Sequence, residues 1–169
     1  MQAQSANHPL TSGSDVGLKH ATVNQHRLGV GEPLRVKQGR EVLMHLLNAS
    51  ATENVVLALP GHTFRIIAMD GNPVLNPKEI EVVSLAAAQR VYAIVEMKSP
   101  GVWVLGSTLE KSRQMGLRIV VEYAGQTGPS VWKDSRDAIW DYTQFANSTP
   151  APTPDRLHAT DSLHNLALR

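Results

Sequence analysis

Two stretches, EVLMHLL at residues 41–47 and VYAIVEM at residues 91–97, decide the fold class of this chain. In the second stretch, the apolar residues Val91, Ala93 and Val95 occupy every other position, which is the two-residue period of a β-strand. The first stretch also alternates, but both of its faces are mostly apolar. Apolar residues on both faces are typical of a strand that lies inside a layered structure.

Similar short patterns fill the chain from residue 34 to residue 123, and each is ended by a turn sequence such as Asp70-Gly71-Asn72. About eight strands at intervals of about ten residues are typical of a sandwich or barrel. The sequence therefore predicts an all-β, antiparallel two-sheet Greek-key β-sandwich with flexible N- and C-terminal extensions. The predicted strands are residues 33–37, 41–47, 55–59, 63–69, 80–85, 91–97, 102–105 and 117–123. The predicted core includes Val42, Leu46, Ile66, Val82, Val95, Val104 and Val120.

Composition divides the 169 residues into four segments. Residues 1–18 are polar and predict a disordered tail, whereas residues 19–125 hold the sandwich. Residues 126–154 form a connector that contains two tryptophans and ends in a proline-rich stretch, which predicts an extended conformation. Residues 155–169 form a tail whose leucines keep no sustained period, so at best this tail is a marginal helix.

Charge and hydropathy exclude several classes of partner. A net charge of +1 with 18% charged residues creates no field that would attract nucleic acid or anionic lipid. No apolar run approaches membrane-spanning length, and residues 1–9 contain no export leader. The sequence therefore predicts no nucleic-acid partner and no membrane span, and it leaves the compartment open.

The residues that bind transition metals are sparse. The chain has no cysteine, so the thiolate ligand of a blue-copper site is impossible. The nearest histidines are six residues apart, His20 with His26 and His158 with His164. Motifs for a hydrolase elbow, a phosphate loop or a zinc helix are missing as well. We therefore predict no catalytic residue, no metal ligand and no cofactor in this chain.

Several motifs in order resemble the second, plastocyanin-like domain of laccase-type multicopper oxidases, a cupredoxin fold. The motifs are RVKQG at 35–39, LLNAS at 46–50, GHTFRIIAMDGNPV at 61–74, QRV at 89–91, PGVW at 100–103, VVEYAG at 120–125 and WDY at 140–142. Together they cover about residues 20–154, and the combination is more specific than any single motif. The segment after residue 154 does not resemble the family.

The resemblance implies that copper is held elsewhere. In such three-domain oxidases the copper ligands lie in the first and third domains, as His-x-His pairs and a His-Cys-His segment, and neither pattern occurs here. The middle domain usually binds no copper. It separates the other two domains and lines the approach to the substrate. The resemblance also implies that the partners are other cupredoxin domains or subunits, and that the parent family is often periplasmic or secreted. A fragment, a truncated paralogue and a separately encoded subunit all fit this pattern.

Five residues are candidates for contacts with another domain or with the connector: His62, Trp103, Trp132, Trp140 and Tyr142. His62 lies in the most informative motif, where a copper ligand or proton relay is possible. A histidine at a strand start, bonded to a loop carbonyl, is favoured because no partner ligand is nearby in sequence. For the tryptophans, packing of the connector onto the sandwich is favoured over an aromatic binding platform.

Two positions depart from the family pattern Gly-x-Arg-x-Asp. Ala88 stands where a turn glycine is expected, and Tyr92 replaces an acidic residue. Each change is expected to cost about one to a few kcal/mol if the local geometry is kept.

Three functions remain open for the chain. It is a copper-free structural or partner-binding domain, which the missing ligands favour, or a component of a copper-dependent, laccase-like oxidoreductase whose copper domains come from other chains. The third alternative is an independent binding module that uses the tryptophan-bearing connector.

Overall fold

The computed structural model describes residues 21–26, 31–134 and 140–146, together with the backbone of residues 163–168. These residues form ten strands, a short helix α1 (Glu110–Gln114) and a 3-10 turn (Tyr142–Phe145). The strands are β1 (Leu34–Val36), β2 (Glu41–Asn48), β3 (Val55–Ala58), β4 (Phe64–Met69), β5 (Asn72–Ile80), β6 (Val82–Leu85), β7 (Arg90–Glu96), β8 (Val102–Ser107), β9 (Arg118–Tyr123) and β10 (Leu163–Leu168).

The strands form two five-stranded sheets. The β2 sheet has the order β10-β2-β7-β4-β5, and the β9 sheet has the order β1-β9-β8-β3-β6. Neighbouring strands are antiparallel except at one edge of each sheet, where β10 pairs with β2 and β1 pairs with β9 in parallel. The predicted all-β, antiparallel-dominated sandwich is therefore confirmed.

The core lies between the two sheets. The side chains of Val42, Leu46, Ile66 and Val95 are buried in this core, as predicted. Val82 and Val104 are buried as well, but they lie outside the core cluster. The prediction for Val120 was wrong, because Val120 is half-buried while Val121 and Tyr123 point inward. Two valines stand side by side in β9, so the apolar pattern alone did not fix which one faces the core.

The region of residues 72–85 differs from the single predicted strand. Asp70 and Gly71 both have positive φ, 49° and 88°, and they form a tight hairpin from β4 into β5. β5 contains Pro73 and Pro77, which are tolerated because β5 is the outermost strand of its sheet. Glu81 separates β5 in one sheet from β6 in the other, so the chain changes sheet at this residue.

The C-terminal segment also differs from its prediction. A marginal helix was expected, but residues 163–168 form β10, which pairs in parallel with residues 43–48 of β2. The edge of β2 provides hydrogen-bond partners for the backbone of residues 163–168. This pairing outweighs the weak helix propensity of the segment. The predicted disordered tail and the proline-rich stretch fall outside the described residues.

Among the residues that the structure describes, no helix has the length and apolar character needed to cross a membrane.

Candidate functional site

His62 lies in the loop between β3 and β4, and only 4% of its surface is exposed. The preceding Gly61 has a φ of 78°, a left-handed conformation that turns the loop toward β9. The His62 Nδ1 atom lies 3.1 Å from the Pro60 carbonyl oxygen, and its Nε2 atom lies 2.5 Å from the Tyr123 hydroxyl. Because a carbonyl only accepts, Nδ1 carries the proton and Nε2 accepts from the tyrosine.

Burial keeps both rings neutral. Removal from water lowers the pKa of His62 from its ordinary value of 6.5, and the positive charge of Lys98 lowers it further. The hydrogen bond to Pro60 raises the pKa and opposes this shift only in part. Burial also raises the pKa of Tyr123 to about 12, despite a hydrogen bond from the Ser99 amide that acts in the other direction. At neutral pH the pair is an uncharged phenol and an uncharged imidazole.

Trp103, at the start of β8, completes this group. Its indole Nε1 donates to the Ser99 carbonyl at 2.8 Å, and its ring meets His62 edge to face with centroids 5.9 Å apart. A side chain on Gly101 would place its first carbon 3.0 Å from that indole nitrogen, so glycine leaves the necessary room. We call His62, Ser99, Trp103 and Tyr123 the His62 cluster.

A shallow cleft of about 270 Å³ borders the His62 cluster. Charged side chains of both signs line it, including Lys98, Lys133 and Glu81. The Lys133 ammonium lies 5.5 Å from the centre of the Trp103 ring, which is within the range of a cation–π contact. The cleft therefore has no single sign of charge that would select an anionic or cationic ligand.

The connector residues lie in two other places. Trp132 is half-buried, and the Arg113 guanidinium is 3.9 Å from the centre of its ring. Trp140 packs against the core beside Phe145, with ring centroids 5.3 Å apart. Tyr142 is 49% exposed and donates a hydrogen bond to the Gln89 side chain. Of the five candidates, the structure thus brings together His62 with Trp103 and Trp140 with Tyr142.

Among the residues that the structure describes, the side chains do not fit a copper centre. Both ring nitrogens of His62 are engaged, and His45 stacks on Tyr92 on the other side of the β2 sheet. Across the described ranges, no three side chains of His, Asp or Glu gather closely enough to share a metal ion. Of the other histidines, His8, His20 and His158 fall outside those ranges, and only the backbone of His164 is described.

Tyr123 is a member of the His62 cluster that was not anticipated from the sequence. It was assigned to a strand ending in a turn, and nothing pointed to a partner 61 residues away. The available signal was a polar atom on a residue at an inward position of β9, since a buried phenol needs a hydrogen-bond partner.

Comparison with known proteins identifies the family. The family model described as multicopper oxidase matches residues 3–123. The chain is 25% identical over 149 residues to the iron multicopper oxidase fer1 of Mycosarcoma maydis, an alignment that covers 76% of this chain and 23% of that protein. It is 28% identical over 97 residues to the multicopper oxidase MmcO of Mycobacterium tuberculosis, covering 57% of this chain and 18% of that protein.

The solved structure of the multicopper oxidase mgLAC shares the fold, with a TM-score of 0.59 and 23% identity over 75% of this chain and 41% of that one. The chain spans less than a quarter of the length of the two curated relatives. From the family match and the two-sheet architecture together, we conclude that this chain belongs to the multicopper oxidase family and carries a cupredoxin-like domain.

Proposed function

We propose that this chain is a copper-free domain of a multicopper oxidase, equivalent to the middle domain, with a structural or partner-binding role. The observation that carries the proposal is the engagement of His62, the histidine in the most informative family motif, by Pro60 and Tyr123. A copper ion binds the lone pair of an imidazole nitrogen. The only lone pair of the His62 ring in this tautomer accepts the Tyr123 proton, so the histidine serves the fold.

The absence of cysteine from the sequence supports the same proposal, since a blue-copper centre needs a thiolate. For the four-electron reduction of oxygen, the family resemblance implies such a centre together with a three-copper cluster. We infer that any oxidase activity of an assembly depends on copper domains other than this one.

A partner-binding role is supported by apolar side chains at the surface. Leu75 in β5 is 66% exposed, and Tyr142, in the 3-10 turn that packs beside β5, is 49% exposed. Exposed apolar groups on neighbouring elements favour contact with another protein surface. The proposed partner is a further cupredoxin domain or subunit. Tyr142, Trp132, Trp140 and Trp103 are the proposed contacts, and the buried His62 would act by holding Trp103.

The alternative function is a component of a copper-dependent, laccase-like oxidoreductase that gains activity when other chains supply copper. Membership of the family favours it, because the curated relatives are named as oxidases.

A copper-binding experiment tests the proposal. The purified chain is loaded with Cu(II), treated with a mild chelator, and analysed for copper, with a His62→Ala variant as the matched control. We expect substoichiometric copper in both proteins before the chelator, little after it, and no intense blue absorption. Stoichiometric copper that survives the chelator in the wild type and is lost in His62→Ala would contradict the proposal. Sustained oxygen consumption by the pure chain with copper and a phenol would contradict it as well.

A further inference from the structure

The three tyrosines of the chain differ in what their rings and hydroxyls meet. Tyr142 donates to the side-chain amide oxygen of Gln89 at 3.1 Å, and an amide oxygen is a very weak base. Tyr92 stacks its ring on the ring of His45, with planes 24° from parallel. In this arrangement the two rings meet through their faces, and a ring face is not a proton acceptor for the Tyr92 hydroxyl. Within the described part of the chain, Tyr123 is the tyrosine whose hydroxyl donates to a nitrogen base, Nε2 of His62.

We propose that Tyr123 is a redox-active tyrosine and that His62 is its proton acceptor. A high-potential metal complex that accepts one electron, such as a ruthenium(III) polypyridyl, oxidises the phenol, the O–H bond breaks, and the proton forms a new N–H bond at Nε2. The products are a neutral tyrosyl radical, an imidazolium at His62 and the reduced oxidant. Charge and atoms balance without any further reactant, and the return of one electron reverses the step.

One contact of His62 favours the protonated product, whereas burial and the Lys98 charge oppose it. The His62 Nδ1–H already donates to the Pro60 carbonyl, and this hydrogen bond strengthens when the ring becomes positive. The Ser99 amide donates to the Tyr123 oxygen at 3.3 Å, which holds that oxygen in place after its proton has left. The proton therefore moves along an existing hydrogen bond, with little rearrangement of heavy atoms.

Burial isolates the radical once it forms. Tyr123 is 1% exposed, so two copies of the chain cannot couple through this ring, and small-molecule reductants reach it only through the protein. A tyrosyl radical at Tyr142, which is 49% exposed, would lack this protection.

Trp103 offers a route for the electron. Its half-buried ring meets His62 at 5.9 Å, and His62 in turn meets Tyr123 at 5.8 Å between centroids. The positive charge of Lys133, 5.5 Å from the Trp103 ring, disfavours a second positive charge on the indole. An oxidising equivalent that arrives at Trp103 therefore moves on to Tyr123, where proton transfer leaves the phenol neutral.

The test uses the full chain and a photogenerated ruthenium(III) polypyridyl complex as the one-electron oxidant. Radicals are trapped by freezing and identified by electron paramagnetic resonance, and their formation is followed by transient absorption. We expect a tyrosyl signal in the wild type that is lost in Tyr123→Phe and kept in the control Tyr142→Phe. In His62→Gln, where an amide accepts the hydrogen bond but not the proton, formation should slow by about 100-fold, the lower end of what a positioned base contributes.

A solvent isotope measurement keeps the proposal testable if His62→Gln does not fold. Radical formation in the wild type should be slower in deuterium oxide, because the phenolic proton moves with the electron. An unchanged tyrosyl signal in Tyr123→Phe would overturn the proposal, and so would an unchanged rate in a folded His62→Gln. Equal rates in light and heavy water would show that His62 takes no proton in the step.

Discussion

His45 and Tyr92 stack face to face on the outer side of the β2 sheet, with ring centroids 4.2 Å apart. The two residues are directly paired across β2 and β7. At the Tyr92 position the family resemblance implied an acidic residue, so this chain has an aromatic cross-strand contact where a charged side chain was expected. We expect this contact to offset part of the cost predicted for the departure from the family pattern.

This stack should be measurable as a coupling energy. In a double-mutant cycle of His45→Ala and Tyr92→Ala, we expect a favourable coupling of about 0.2–1 kcal/mol, the range for cross-strand pairs. Urea unfolding of the four proteins supplies the numbers. The control cycle pairs His45→Ala with Leu75→Ala, a residue in the outermost strand β5, and its coupling should be near zero. Equal coupling in both cycles would contradict a specific stack.

Replacement of Ala88 by glycine should increase the stability of the protein. The Ala88 φ of 64° is left-handed, a conformation that costs a residue with a side chain about 1–2 kcal/mol. Glycine removes this cost but adds about 0.4–1 kcal/mol of chain entropy to the unfolded state, so Ala88→Gly should stabilise by about 0.5–1 kcal/mol. The nearby exposed Ala86 lacks a positive φ, so Ala86→Gly should destabilise. Thermal unfolding of the two variants should show shifts of opposite sign.

Ile66 should be essential to the core. It is 0% exposed in the middle of β4, and its replacement by alanine removes buried methyl groups and leaves a cavity. We expect a loss of about 2–5 kcal/mol in the free energy of unfolding. Leu75→Ala, at a position that is 66% exposed, is the matched control and should change little. Similar small losses in both variants would show that the Ile66 side chain does not point into the core.

The free energy of unfolding should decrease at acidic pH because the unfolded chain protonates His62 more readily than the native chain does. The folded pKa of His62 lies below the ordinary value of 6.5, so between these two values the unfolded chain binds a proton that the native chain does not. The native state therefore loses stability as the pH falls below about 6.5, and this loss continues until the pH reaches the pKa of His62 in the folded state. Urea midpoints between pH 7.5 and pH 5 measure this slope. A His62→Gln variant should show a shallower slope, and an equal slope would assign the effect to other groups.

Much of the fold could be predicted because strand burial leaves a two-residue period in the sequence. β2 and β7 were found in this way, since apolar residues occupy every inward position except the last one of β2, which is the buried Asn48. β5 was missed because its prolines argue against a strand unless it is known to be at an edge. β10 was missed because its partner, β2, lies more than a hundred residues earlier in the chain. In both cases the deciding fact is the position of the strand in the sheet, which local sequence does not encode.

The site was predicted only in part for a related reason. The motif around residue 62 drew attention to His62, and its bond to a loop carbonyl is a local interaction that the turn at Pro60 made reasonable. The bond to Tyr123 joins the loop before β4 to the end of β9, in the opposite sheet, and depends on how the two sheets face each other. In addition, the sequence does not distinguish an aromatic residue of the core from one that contacts a particular side chain. The contact between Trp103 and His62 therefore could not be predicted before the fold was known.

The prolines of β5 have a consequence for the protein at high concentration. Strand edges are where sandwich proteins begin to aggregate, because unpaired backbone groups recruit a strand from a neighbouring molecule. Pro73 and Pro77 each lack the N–H that such recruitment requires, and they lie in the outermost strand of the β2 sheet. A strand of a second molecule that approaches this edge therefore lacks backbone N–H donors at two positions of β5. The same residues that hid β5 from prediction therefore act against the growth of fibrils from that side of the molecule.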